Sequence, residues 1–198
     1  VRTIVTSRTY QQRSVVRDDM AELDVENKLY HRANLKRLEI EEIRDSLLAV
    51  SGALDSRMRG RSGELWGNDY TPRRSVYGYI NRFNLDPTLR AFDFPSPVQS
   101  QERRTESIVA PQALFSMNSN FVTDQAAALV DRLKFEKGVT RDQRIDGIFN
   151  AVLHRPADQV KHDRFGKFVD LEKTRAGVSP WPLVAQALFM SNEFLYVD

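Results

Sequence analysis

Asn34-Leu35-Lys36-Arg37-Leu38-Glu39-Ile40-Glu41-Glu42-Ile43-Arg44-Asp45-Ser46-Leu47-Leu48-Ala49-Val50-Ser51-Gly52-Ala53-Leu54 is the stretch whose pattern decides the fold. Ile40, Ile43, Leu47, Val50 and Leu54 step by three and four, so they line one side of a helix. Asn34 is a good N-cap, which predicts a helix over 35–54, and Gly52 weakens its last turn.

Working outward, residues 56–72 read as a loop, with Gly60, Gly63, Gly67 and Pro72. Ser75-Val76-Tyr77-Gly78-Tyr79-Ile80 reads as a strand by its β-branched and aromatic content. Residues 84–110, with Pro87, Pro95 and Pro97, form a long irregular connection. Helices resume at Pro111, which suits a first turn. Phe121, Val122, Ala126, Leu129, Val130 and Leu133 make a second amphipathic helix ending at Gly138. Thr140-x-x-Gln143 is a capping box, with Ile145, Ile148, Phe149 and Val152 behind it and Pro156 as the stop. Val160, Phe165, Phe168 and Val169 mark another helix, and Ser179-Pro180 opens the last. Upstream, residues 1–33 carry scattered apolar positions, read as a short helix and a polar link around Gln11–Asp19. The fold class is therefore mainly α, with a small β element around residues 75–80 and long irregular loops. Two parts are expected, packed as one domain. Residues 1–139 form a helical core with an arginine/aromatic loop–strand insert. Residues 140–198 form a C-terminal three-helix subdomain with Phe149, Phe165, Phe168, Trp181, Leu188 and Phe194 inside.

Composition narrows the chemistry. With 41% apolar residues, eleven Phe and two Trp in 198 residues, the chain can build a real core. A net charge of +2 is too small to imply nucleic-acid binding. No apolar run approaches the roughly 20 residues of a membrane span. Cysteine is absent, which removes disulfides, thiolate nucleophiles, iron–sulfur clusters and c-type haem attachment, so no cofactor is expected. The opening Val1-Arg2-Thr3-Ile4-Val5 holds no signal peptide and no initiator Met, and it reads as part of a longer protein.

Three constellations could carry chemistry. Glu39, Glu42 and Asp45 cluster on the 35–54 helix, with Glu41 beside them; Glu42 and Asp45, three apart, share a face as paired acid–base carboxylates would. A solvated face of weak ion pairs fits the same spacing. His31, His154 and His162 are the only histidines, and no zinc motif surrounds them, so no metal site is assigned. Gly60-Arg61-Ser62-Gly63 is one residue short of a serine-hydrolase elbow, and no phosphate- or dinucleotide-binding glycine motif occurs. The strongest signal is the run 57–83, where Arg61, Arg73 and Arg74 are interleaved with Trp66, Tyr70 and Tyr77. Guanidinium forks grip carboxylate or sulfate, and aromatic faces stack on sugars. Alternatively the tyrosines fill the core, and Arg73 and Arg74 pair with the Glu39–Asp45 helix.

Several ordered stretches carry a resemblance. They are Ile4–Tyr10, Arg37-Leu38-Glu39 with Glu42–Gly52, Arg73–Tyr77, Phe92-Asp93-Phe94-Pro95, Pro111–Leu114 with Met117-Asn118, and Ser191–Asp198. The chain resembles the C-terminal part of the planctomycete secreted domain family, a family of unknown function. Members often have a cysteine after the Phe-Asp-x-Pro stretch, where this chain has Gln99-Ser100-Gln101. The resemblance implies a secreted or periplasmic location in a large exported protein, after another secreted domain and often with a cytochrome-c-like domain. It implies no established activity.

Three functions are compatible with these residues. One is a non-catalytic interaction or assembly module whose partner is the upstream domain of the same protein. The second is a carbohydrate- or polyanion-binding module using the 57–83 run. The third is an enzyme with a carboxylate site on the 35–54 helix. No catalytic motif favours the third.

Overall fold

The glutamates at the head of the decisive helix set where it starts. Glu39, not Asn34, is the N-cap, because Glu42 reaches back to accept a 2.9 Å hydrogen bond from the Glu39 amide. The helix α2 spans Ile40–Ser51, and Gly52 closes it in the left-handed conformation at φ 81°. It is shorter than the expected 35–54, because Lys36–Arg37 is extended and forms strand β1. The computed structural model describes residues 1–136, 138–174 and 179–197.

Among the described residues the order is α1 (Arg2–Val5), β1, α2, a 3-10 turn (Ser75–Tyr77), α3 (Pro87–Ala91), α4 (Ala110–Asn118), α5 (Asn120–Leu133), α6 (Arg141–Leu153), α7 (Gln159–Thr174), α8 (Trp181–Phe189), α9 (Asn192–Leu195) and β2 (Tyr196–Val197). The protein is mainly α, with one two-stranded antiparallel sheet that pairs Lys36 with Val197 and Arg37 with Tyr196.

The strand expected at 75–80 is not there. Ser75–Tyr77 is a 3-10 turn, and only Gly78 makes a bridge, to Gly63. The aromatic and β-branched residues serve a tight loop instead. A Cβ at Gly78 would sit 2.3 Å from Leu65 Cδ2, so this approach needs glycine. Arg73 makes one isolated bridge, to Asp55, and Arg74 makes none, so neither is held by a strand ladder.

Two units emerge along the chain: Val1–Leu38 with strand β2, and Glu39–Leu195. The 139/140 boundary expected from sequence falls inside the second. There α5 is central; Ala126 and Leu129 are fully buried, and the helix packs most extensively on α8, then on α2. The Thr140 capping box forms as expected, with Gln143 N–H donating to Thr140 Oγ1 and Thr140 N–H to Gln143 Oε1. Helix α5 stops at Leu133, before the expected Gly138, because Lys134 turns left-handed. Of the expected C-terminal core, Phe149, Trp181, Leu188 and Phe194 are buried, whereas Phe165 and Phe168 are only half-buried.

Candidate functional site

The site begins with a charge on an apolar stripe. Helix α2 buries Ile40, Ile43, Leu47 and Leu48, and among them Arg44, four residues from both Ile40 and Leu48. An unpaired cation there would be prohibitive. The loop 65–75 supplies its partners. Arg44 Nε donates to the Leu65 carbonyl at 3.1 Å, Nη1 to the Arg73 carbonyl at 2.9 Å, and Nη2 to the Thr71 carbonyl. Its guanidinium lies 5.4 Å from the Phe121 ring and 5.8 Å from Trp66. Burial lowers the Arg44 pKa, opposed by the nearby Asp45 carboxylate and by Tyr70, and the side chain remains charged.

Asp45 completes the clamp. It accepts from the Ser75 amide and from Ser75 Oγ, both at 2.7 Å, and lies 3.5 Å from Arg74 Nε. Adjacent residues on one helix therefore hold both ends of an irregular loop. A second buried polar chain runs from Ser51 Oγ to Gln125 Oε1 at 2.7 Å and from Gln125 Nε2 to the Tyr70 hydroxyl at 2.9 Å.

This clamp separates the sequence candidates. Trp66 turns edge-on to Phe115 and Phe121 at 5.1 and 5.4 Å, and Tyr70 edge-on to Phe121 at 5.0 Å, so both rings join the core packing. Arg73 stacks 4.1 Å over the Tyr77 ring and donates from Nη1 to the Arg61 carbonyl at 3.2 Å. Its Nε and Nη2 are shielded from solvent and have no partner in the structure. The side chains of Arg61 and Arg74 are exposed. Arg73, Tyr77 and the Arg61 backbone thus come together, while Arg74 points to the α2 side.

A cavity of about 350 Å³ lies beside α2, lined by Glu41, Glu42, Asp45, Arg74, Val76 and Phe94 among others. Its carboxylates are engaged. Arg104 forks onto Glu41 at 2.8 and 2.9 Å and reaches Glu39 at 2.8 Å; the Glu41 hydrogen bonds, with the acidic neighbours behind them, raise its pKa against the cost of burial. Glu42 caps the helix and Asp45 holds Ser75. Glu39 and Asp45 thus tie loops to α2, and Glu42 caps it.

Sequence reasoning missed Arg44 and Arg104. The signal for Arg44 was its place between Ile40 and Leu48 on the stripe. For Arg104, 63 residues from Glu41, no local signal exists. Among the histidines, His31 Nδ1 lies 3.4 Å from Asp24 and His162 Nε2 lies 3.0 Å from Asp146, while His154 is the exposed left-handed C-cap of α6. Among the described residues no group of three His, Cys, Asp or Glu side chains could hold a metal ion. No helix among them is long and apolar enough to cross a membrane.

Fold and site define a mainly helical module whose central loop is clamped by a buried arginine. The chain belongs to the family PSD1, described as "protein of unknown function (DUF1553)", which matches residues 1–169. Neither the curated proteins nor the solved structures contain a match. The function is uncharacterised.

Proposed function

We propose that the chain is a non-catalytic interaction module of a larger exported protein, docking on a neighbouring domain through its N-terminal unit. The observation that carries this is inverted burial. Within residues 1–38 only Asp24 and Asn27 are buried. Asp24 accepts from the amides of Lys28 and Leu29 at 2.7 Å each, and Asn27 binds the Arg32 backbone and Asn34. That polar frame turns Leu23, Val25, Leu29 and Tyr30 outward, at 79, 72, 72 and 64% exposure. An ordered segment that displays several large apolar side chains suits a partner surface. The family resemblance supplies the partner class, a domain of the same secreted or periplasmic protein. In this reading the module carries no cofactor of its own.

Hydrogen exchange tests the reading. Amides 20–33 are expected to exchange more slowly in the product of the complete gene than in the 198-residue chain, and Leu29→Asp should remove that difference. Equal exchange in both would overturn the proposal.

A second reading rests on Arg73. Its guanidinium, half-buried and stacked on Tyr77, with Arg61 exposed nearby, suits the sulfate or carboxylate of an anionic glycan. Titration with heparin and with polygalacturonate should show binding that Arg73→Ala weakens. Unchanged binding in that variant would discard this reading.

A further inference from the structure

The C-terminal helices line a second cavity, partly open to solvent, of about 320 Å³, which no sequence motif marks. Phe149 of α6 lies at its base, fully buried, with Phe165 edge-on to it at 5.4 Å. Phe165 and Phe168 sit three apart on α7 and so share a face; Ala187 and Leu188 of α8 line it as well. These two phenylalanines stay half-buried, and Ala187 beside them in the lining is exposed. The cavity thus has a lining of aromatic faces and edges rather than a filled core.

Its polar residues are Lys161, Arg164, Ser191 and Glu193. Glu193 is bound by both Lys161 and Arg155, and the Lys161 hydrogen bond leads the causes that hold its pKa below the ordinary carboxylate value. Lys161 is shared with Asp158, 3.8 Å away. Ser191 Oγ donates to the Leu188 carbonyl at 2.7 Å, which leaves it as an acceptor. Arg164 makes no hydrogen bond or ion pair among the described residues. The rim therefore carries one uncommitted charge, and it is positive.

An apolar cavity near the lower end of the range for small-molecule sites, with a few polar groups at its edge, is the usual form of such a site. Three rings favour a flat aromatic guest, which can meet ring faces with its edges. A guanidinium without a partner favours a carboxylate, which it holds in two parallel hydrogen bonds. A cationic guest would meet Arg164 with Glu193 already neutralised. We propose that this cavity binds a small aromatic carboxylate, its ring among Phe149, Phe165 and Phe168 and its carboxylate on Arg164.

The test is an amide-shift NMR titration of the 198-residue chain with 4-phenylbutyrate, with neutral 4-phenylbutyramide and with hexanoate. Saturable shifts are expected in residues 161–168 and 187–193 with phenylbutyrate. The amide should bind about tenfold more weakly, the worth of one charged hydrogen bond. Arg164→Gln should abolish that preference, and because Arg164 is exposed the variant should fold. Ala187→Phe, which fills the cavity, should abolish binding of all three. Absence of saturable shifts, or shifts confined to other helices, would overturn the site. Equal binding of acid and amide would overturn the role of Arg164, and hexanoate binding as tightly as phenylbutyrate would overturn the aromatic class.

Discussion

The two units of the chain bury opposite kinds of side chain. Glu39–Leu195 has an ordinary apolar interior around α5, and Arg44, the one fully buried cation among its described residues, is matched by loop carbonyls. Val1–Leu38 buries Asp24 and Asn27 and leaves its large apolar residues in solvent. The contrast teaches what each polar group is for. In the larger unit a buried polar group ties an irregular loop to a core that already exists. In the smaller unit local hydrogen bonds are the whole interior, so its shape is kept without apolar burial of its own. The first arrangement is self-sufficient; the second acquires a hydrophobic contribution only when something covers it.

Breaking the larger unit should give the greatest effect. Arg44→Ala strands three loop carbonyls and removes the guanidinium beside Phe121 and Trp66, with an expected loss of about 3–5 kcal/mol. Urea unfolding followed by circular dichroism measures it. A loss under about 1 kcal/mol would mean that water replaces the side chain and that the clamp is not structural.

The packing of α6 against α7 sharpens the same point. Phe149 is fully buried, so Phe149→Ala should cost about 3–5 kcal/mol. Phe168 borders the C-terminal cavity, so Phe168→Ala removes less contact and should cost clearly less in the same urea experiment. Equal losses would show that the cavity closes in solution.

These positions also show what a sequence can disclose. Helices α5 and α6 were legible because their signals are local: a three-four stripe, and the Thr140–Gln143 box. The Ser75–Ile80 segment was misread, because its aromatic and β-branched residues satisfy tertiary demands. Ser75 is gripped by Asp45, and Gly78 lies against Leu65. In the candidate site the residues were named but not their directions. Trp66 and Tyr70 face the core, while Tyr77 faces Arg73. Arg44 escaped notice because a charged residue on a helix is ordinarily solvated, and its carbonyl partners lie 21 to 29 residues away.

The smaller unit should respond to acid before the α5 core does. Burial opposes the charge of Asp24, but the amides of Leu29 and Lys28 and the His31 ring outweigh it, so its pKa lies below the ordinary value. A lowered carboxylate pKa stabilises the fold above the unfolded value of about 3.9, and that contribution is lost as pH falls through the folded value. The amide proton shifts of Lys28 and Leu29 should therefore move together as pH drops below about 4, while those of α5 hold. Asp24→Asn should abolish that transition. Constant Lys28 and Leu29 shifts down to acid would place their hydrogen bonds elsewhere.

The smallest stability effect, and the one that bears most on function, is expected at Leu29. Its side chain is largely exposed, while its amide is held by Asp24, so backbone and side chain can be tested apart. Leu29→Asp keeps the amide and replaces only the displayed group. In the 198-residue chain it should change stability by no more than about 0.5 kcal/mol, the range of surface substitutions. Asp24→Ala instead removes the acceptor and should loosen residues 24–31 in the same chain. Each variant is compared by urea titration and by the exchange rates of amides 20–33. If Leu29→Asp destabilises the isolated chain as much as Asp24→Ala, the apolar side chain is supporting its own unit. The two units would then share one logic of burial. If only Asp24→Ala does so, the polar frame holds the shape and the apolar residues are left for a partner.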